Sequence, residues 1–134
     1  MQNRFVIYPE VNFGVSKLSP GITSINDLLA IAKEFRLDKN FNKVHYQLTD
    51  LRECIFDFKS DEINKMISLV NEYKDKDNQK IGVYLVDKPM ETALVALFFK
   101  NLDAKREFCY TIEGAYKILN MPISFDKFKT LIDI

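Results

Sequence analysis

The sequence predicts a single α/β domain in which a mixed, mostly parallel sheet follows an N-terminal β-hairpin and carries helices packed on it. Three observations support this prediction. The chain has 134 residues, enough for one hydrophobic core and too few for two. Helix-like and strand-like segments alternate after the hairpin, as in right-handed βαβ crossovers. The segment Ile81–Val86 is apolar on both faces, which is typical of an interior parallel strand.

The first half of the chain is predicted to form the hairpin, a helix and a strand. Phe5–Tyr8 and Phe13–Leu18 are runs of strand-forming residues on either side of a turn. The hydroxyls of Thr23–Ser24 can cap a first helix that ends near Leu37. Apolar and polar residues alternate over Val44–Thr49, which predicts a strand that is half covered or near an edge.

The second half is predicted to contain three longer helices, two strands and a short terminal helix. Ser60 is expected to cap a helix that runs to Tyr73, and the charged segment Lys74–Lys80 is expected to be a surface turn. The remaining predicted elements are the strand Ile81–Val86, a helix from Asp87 to about Leu102, a strand over Phe108–Thr111, a helix from Thr111 to Leu119 and a terminal helix from Ser124.

The third predicted helix is apolar on nearly all sides and therefore needs a second covering surface. Its predicted sheet-facing residues are Ala93, Leu94, Leu97 and Phe98, whereas Val95 and Phe99 point elsewhere. The terminal helix over Phe125–Ile132 is the plainer choice of cover. A second subunit, giving a homodimer, is the alternative.

Composition and charge exclude several classes of protein. The chain is 47% hydrophobic and 28% charged, which excludes intrinsic disorder and a collagen-like repeat. Nineteen basic residues balance nineteen acidic ones, so no overall field attracts nucleic acid, and we expect no nucleic-acid partner. The most apolar window, Ala93–Phe99, is far shorter than the roughly 20 residues that span a bilayer. Because the first residues also lack a signal-peptide pattern, we expect no membrane span and a cytoplasmic location.

No recognised motif for catalysis, a cofactor or a metal is present. Cys54 and Cys109 lie far apart in apolar contexts and are predicted to be buried thiols. The four glycines never cluster, so no phosphate-binding loop can form. The single histidine, His45, has no serine, cysteine or acid near it in sequence. The sequence therefore predicts a non-enzymatic protein with no cofactor and no metal.

Charged residues follow the strand that ends near Thr49. If the chain stays extended there, Asp50 and Arg52 project from one face at the carboxyl edge of the sheet, where open α/β sheets bind ligands. The two side chains either bind a ligand or form a local ion pair that fixes the loop. Ser60 also has two interpretations, a helix cap or a phosphorylation site, although repulsion from Asp61 and Glu62 opposes a phosphate.

The order of these elements resembles that of the small bacterial STAS-like proteins, over about residues 4–119. Residues 120–134 would then be a C-terminal helical extension of one domain, 1–134. The phrases that carry the resemblance are Lys17–Thr23 (KLSPGIT), Leu37–Asn42 (LDKNFN), Leu48–Glu53 (LTDLRE), Leu97–Phe99 (LFF) and Thr111–Ala115 (TIEGA). These proteins are similar in fold to the sporulation anti-sigma factor antagonists and distantly to the lipid-carrying Sec14-type domain. The antagonists carry an Asp-Ser-Ser-Gly-Leu-Gly phrase that a kinase phosphorylates; the matching stretch here, Phe58–Ile63, has neither glycine.

The resemblance implies a non-enzymatic regulatory domain that acts by binding a partner protein. The loop and helix around 50–62 are the predicted contact surface, with Asp50, Arg52, Phe58, Ser60, Asp61 and Glu62 as its residues. The alternative is a carrier or sensor of a small apolar ligand or lipid, held between the sheet and the third helix. The residues predicted to line that cavity are Tyr84, Phe98, Phe99 and Phe108.

Overall fold

The computed structural model describes residues 2–77 and 79–134 and confirms the predicted α/β class. The strands are β1 (Arg4–Tyr8), β2 (Phe13–Lys17), β3 (Gly21–Thr23), β4 (Tyr46–Asp50), β5 (Cys54–Phe56), β6 (Ile81–Leu85) and β7 (Lys105–Cys109). The helices are α1 (Ile25–Leu37), α2 (Ile63–Glu72), α3 (Lys74–Asp77), α4 (Pro89–Lys100), α5 (Ile112–Leu119) and α6 (Phe125–Ile132). Short 3₁₀ turns cover Pro9–Val11, Phe41–Lys43 and Ser60–Glu62.

The main sheet has five strands in the order β1-β2-β4-β6-β7. β1 and β2 form the predicted antiparallel hairpin, and the other neighbours pair in parallel. Each crossover moves the chain to the next strand in the same direction, so right-handed connections place α1, α2 and α4 on one face, called here the front face. Helices α5 and α6 return over the back face.

Alternate residues of the inner strands face opposite sides of the sheet, where the buried apolar residues form a back core, a front core and a smaller cluster of Phe35, Phe41 and Val44. On the back face, Val15, Leu48 and Val83 pack against residues of α5 and α6, including Phe128. The front core is built mainly from the helices and loops, with Ile31, Phe56, Met66, Leu94 and Phe98 among its buried members. β6 lies between β4 and β7 and is covered on both faces, as its apolar sequence predicts.

The strand β4 differs from its prediction as a half-covered or edge strand. It is the central strand of the five, between β2 and β6. Its polar residues Gln47 and Thr49 are only 4% and 9% exposed, because α1, α2 and α4 cover that face. Alternation of apolar and polar residues therefore does not mark a solvent-facing side in this strand.

The helix caps were predicted in part. Ser24 and Asp27 form a reciprocal capping box at the start of α1, and Thr111 and Ser124 cap α5 and α6. The prediction that Ser60 caps a helix is wrong. Ser60 enters the 3₁₀ turn itself, so its hydroxyl lies a turn before the first amide groups of α2, and no side chain caps that helix.

The buried side of α4 also differs from the prediction. Glu91, Leu94, Val95 and Phe98 are buried at i, i+3, i+4 and i+7, while Ala93 is exposed and Leu97 is 37% exposed. Hydrophobicity does not distinguish the sides of a helix that is apolar nearly all round. Glu91 lies on the buried side of α4, where its carboxylate accepts a hydrogen bond of 3.0 Å from the backbone N–H of Phe56.

The terminal helix does not cover α4, contrary to the plainer prediction. Helix α2 packs beside α4 on the front face, whereas Phe128 and Ile132 of α6 enter the back core. Cover from a second subunit stays a prediction. Within the ranges described, no helix is both long enough and apolar enough to cross a bilayer.

A close contact between β2 and α1 provides a test of the front-face packing. A Cβ at Gly14 would lie 2.5 Å from the ring of Phe35, so we expect Gly14→Ala to lower the free energy of unfolding by about 1–3 kcal/mol. Phe35→Leu should recover part of this loss in the double variant, although it destabilises the parent chain. Urea unfolding of the four proteins measures the coupling, and simple additivity of the two changes would contradict the proposed contact.

Candidate functional site

A cavity of about 60 Å³ lies between the front face of the sheet and helices α1, α2 and α4. Most of its wall is apolar and comes from the helices and from the loop after β5, for example Ile31, Phe58, Met66 and Leu94. The sheet supplies polar side chains instead. The cavity is therefore an apolar enclosure with a polar floor.

Four residues form this polar floor: Ser16, Gln47, Thr49 and Tyr84. Ser16 of β2, Thr49 of β4 and Tyr84 of β6 are register neighbours, so they form one row across three adjacent strands. Successive side chains of a strand point to opposite faces, so Gln47, two positions before Thr49, lies on the same face in the next row. Parallel pairing in register thus brings together residues more than 60 positions apart.

Gln47 stands between two glycines in its row, Gly14 and Gly82. The space beside each glycine is filled by another residue. The ring of Phe35 lies over Gly14, and the side chain of Arg106 crosses Gly82 with its Cδ 2.6 Å from where a Cβ would be. The two register positions beside Gln47 are therefore covered by side chains from other elements.

The amide oxygen of Gln47 is buried and has no hydrogen-bond partner among the described residues. The residue as a whole is 4% exposed. No hydrogen bond from a described residue reaches the side-chain hydroxyls of Ser16, Thr49 or Tyr84 either. Leaving a buried polar atom without a hydrogen bond costs about 1–3 kcal/mol, so the unpartnered oxygen of Gln47 lowers the stability of the fold.

A group of buried charges lies beside the cavity, at the amino ends of the parallel strands. Arg36 lines the cavity and forms a double ion pair with Asp77, with N–O distances of 3.2 and 3.3 Å. Asp77 also accepts a contact of 3.5 Å from Arg106. Together with Lys80, these residues are called here the cationic cluster. Arg36 belongs to α1, Asp77 to α3, Lys80 to the turn that follows α3, and Arg106 to β7.

Lys80, in the turn after α3, is a buried cation of this cluster. Its ammonium group donates to the carbonyls of Val44 at 2.7 Å and Phe41 at 3.2 Å, and lies 4.3 Å from the centre of the Phe41 ring. Lys80 is 3% exposed, and burial lowers its pKa to about 8. Burial also lowers the pKa of Arg106.

The segment Lys74–Lys80 was predicted to be a surface turn, and this prediction is wrong for two of its residues. Asp77 is fully buried and Lys80 nearly so. Their partners come from residues as far as 41 positions away, so the local sequence gives no sign of the burial. In the chain as described, Asp77 is the sole carboxylate that forms an ion pair within the cationic cluster.

The predicted partner surface is divided by the fold. Asp50 and Arg52 form the predicted local ion pair, with two N–O contacts of 3.0 and 2.8 Å, at the carboxyl end of β4. The hydrogen bond to Asp50 raises the pKa of Arg52. Ser60 and Asp61 are exposed and Glu62 is half-buried. Phe58 is 5% exposed and lines the cavity, so its side chain is not available to a partner.

An open cleft surrounds the Asp50–Arg52 pair. Glu53, which follows, has a positive φ of 68°, and its backbone N–H donates to the Asp87 carboxylate at 3.0 Å. Burial raises the pKa of Asp87, but hydrogen bonds from Lys88 and from this N–H, together with the nearby charges of Lys88 and Arg52, lower it further, so the net shift is downward. Next to this cleft, Ile22 and Ile55 pair across the β3–β5 sheet and are 75% and 48% exposed.

The predicted ligand residues are brought to the front face only in part. Tyr84 and Phe98 line the cavity. Phe99 and Phe108 are half-buried and pack against the same core without lining the cavity. Sequence reasoning missed Ser16, Gln47 and Thr49, although polar residues at alternate positions of two strands were a visible signal.

The single histidine and the two cysteines lie outside the cavity wall. His45 is exposed just before β4. Cys54 is buried and Cys109 half-buried, and burial raises the pKa of both thiols, which disfavours the reactive thiolate. Over the residues with described positions, no cluster of three or more His, Cys, Asp or Glu is placed to hold a metal ion.

Comparison with known proteins gives no further assignment. No protein-family model matches the chain, and no curated protein matches it. The resemblance to small bacterial STAS-like proteins therefore stays a prediction from the sequence.

The lowered pKa of Lys80 predicts a pH dependence of stability. Lys80 has a pKa of about 8 in the folded chain and about 10.5 when unfolded, so the unfolded state binds more protons between these values. The free energy of unfolding should therefore rise with pH across this window because of Lys80. Unfolding by urea from pH 7.5 to 10.5 measures this contribution as the difference between the parent and Lys80→Met.

Lys76→Met is the matched control because Lys76 is an exposed lysine of the same segment. It should keep the pH dependence of the parent chain. The interpretation fails if Lys80→Met and Lys76→Met have the same dependence on pH.

Proposed function

We propose that the chain is a non-enzymatic binding domain, a sensor or carrier, for a small and mainly apolar molecule that carries one polar group. The single observation behind this proposal is the amide oxygen of Gln47, which is buried, unpartnered and part of the polar floor of an apolar cavity. Ligand sites commonly combine apolar walls with a few convergent polar groups. A cytoplasmic location stays part of the proposal.

The cavity volume restricts the size of the ligand. A cavity of about 60 Å³ exceeds the ~10–15 Å³ that one water needs and is smaller than the ~150 Å³ engineered cavity that binds benzene. The ligand is therefore expected to have no more non-hydrogen atoms than benzene and to widen the cavity when it binds. The alternative function predicted from the sequence is a carrier or sensor of a small apolar ligand or lipid. This cavity volume favours a small ligand over a lipid.

A binding role is favoured over catalysis by the position of the reactive side chains. General acid–base or nucleophilic catalysis requires a nucleophile and a base within hydrogen-bond reach of the substrate. The polar floor offers hydroxyl and amide groups, while His45 and both cysteines lie elsewhere. The floor can thus orient a ligand through hydrogen bonds.

Substitution of Gln47 tests the proposal. Gln47→Leu removes an unsatisfied buried amide, so it should raise the free energy of unfolding by about 1 kcal/mol and the Tm by about 3–5 °C. It should also weaken binding of isobutanol, whose hydroxyl can donate to the amide oxygen. Nuclear magnetic resonance titration of the ¹⁵N- and methyl-labelled chain measures this binding through the methyl groups of Ile31, Leu94 and Val95.

The matched control is Gln79→Leu, the same change at an exposed glutamine. It should leave both the Tm and the isobutanol titration unchanged. The proposal is wrong if isobutanol causes no saturable shift of the cavity methyl groups in the parent chain, or if Gln47→Leu destabilises the fold as loss of a satisfied hydrogen bond would.

A partner-binding function at the carboxyl edge is a second candidate, favoured by the exposed Ile22–Ile55 pair. Two large apolar side chains lie directly opposite each other there, next to the cleft of Arg52 and Asp87. Apolar contacts beside charged groups are the usual composition of a protein interface. Of the predicted surface residues, Arg52, Ser60, Asp61 and Glu62 stay accessible in part or in full.

Charge substitution on this surface tests the second candidate. Ile22→Asp and Arg52→Ala should each lower the yield of a stoichiometric partner captured from the source cell, because they remove apolar area and an ionic contact. Leu37→Asp, at an exposed leucine of α1, is the control and should leave the yield unchanged. Equal capture by all the variants would refute binding at this surface.

A further inference from the structure

We propose that the polar group of the cavity ligand is a carboxylate, and that the ligand is a short-chain carboxylate anion. This inference rests on the proposed small-molecule function. It comes from two features that meet at the cavity: the polar floor and the cationic cluster. Together they favour a ligand of negative charge.

The cationic cluster is not electrically balanced by its own residues. The guanidinium groups of Arg36 and Arg106 share the single carboxylate of Asp77, whereas Lys80 forms no ion pair with a described residue. Arg106 and Lys80 complete their hydrogen bonding on backbone carbonyls, which carry no net charge. A buried charge without a counter-charge is costly, and an anion placed beside the cluster would offset this cost.

The cluster is close enough to act on the cavity. Arg36 is 7% exposed and lines the cavity directly. Arg106 crosses Gly82, which is the register neighbour of Gln47. Interactions between charges weaken less with distance in a buried site than in water, so both guanidinium groups contribute to the potential at the floor.

The polar floor can supply the hydrogen bonds that a carboxylate accepts. The hydroxyls of Ser16, Thr49 and Tyr84 can donate to a carboxylate. The Gln47 amide can donate at the position of its unpartnered oxygen only after it turns by 180°, which exchanges the oxygen and the NH₂ group. None of these side chains donates to another described residue, so no existing bond has to be broken. Bonds from neutral donors to a carboxylate are stronger than those to a neutral oxygen. The apolar wall then accommodates the short alkyl end of the ligand.

The experiment compares two probes of nearly identical shape, isobutyrate and its neutral isostere isobutyramide. The full ¹⁵N-labelled chain is titrated with each at pH 7 and constant ionic strength, and the side-chain NH₂ signal of Gln47 is followed. We expect isobutyrate to bind in the millimolar range, on the order of tenfold more tightly than isobutyramide. Equal binding, or tighter binding of the amide, would overturn the inference while leaving the small-molecule function intact.

A pair of variants tests the origin of the preference. Arg106→Met should weaken isobutyrate on the order of tenfold and leave isobutyramide unchanged, because only the charged probe responds to the cluster. Lys105→Met removes the same charge from an exposed neighbour and should change neither titration. An equal loss of isobutyrate in both variants would attribute the preference to net charge and contradict a role for the cluster.

The parent-chain comparison does not depend on the folding of any variant. If neither isobutyrate nor isobutyramide shifts the Gln47 signal, the carboxylate inference is wrong. The separate isobutanol titration then shows whether the cavity binds any small molecule, so failure of the two proposals can be distinguished.

Discussion

The structure depends on one constraint: a strand with a polar face occupies the centre of a sheet that is covered on both sides. Successive parallel crossovers in one direction place β4 between β2 and β6 and put α1, α2 and α4 over its front face. Gln47 and Thr49 are buried by this topology whatever their polarity. On the back face, Leu48 meets α5 and α6 in an ordinary apolar core. One strand therefore separates two cores of different chemistry.

The residues around Gln47 show how the sheet accommodates this polar face. Glycines at its two register positions leave room for the ring of Phe35 and the stem of Arg106. Arg106 thereby reaches across β6 to Asp77 instead of pointing to solvent. The same arrangement that encloses the glutamine thus brings the cationic cluster to the edge of the cavity. The packing around Gln47 and the position of the cationic cluster therefore both depend on the two glycines, which have no side chains.

Local signals explain which parts of the fold could be predicted from the sequence. The hairpin, the hydroxyl cap at Thr23–Ser24 and the apolar strand β6 are encoded by neighbouring residues, and all three are confirmed, with Ser24 as the capping residue. The centrality of β4 was missed because alternation also describes an edge strand. The burial of Asp77 was missed because its partners, Arg36 and Arg106, are distant in sequence. Strands β3 and β5, three residues each, carry too short a pattern to be recognised.

The charged residues at the two ends of the sheet are balanced differently, so buried positive charge among the described residues lies at only one end of the front cavity. At the carboxyl end, Asp50 and Arg52 form a one-to-one pair that neutralises itself within a single loop. At the amino end, Asp77 is shared by cations from separate elements, and positive charge is in excess. Because screening is weak in a buried site, the excess acts on the interior rather than on the surface. A chain with no net charge overall can therefore concentrate buried positive charge at one end of its sheet, beside the cavity that Arg36 lines.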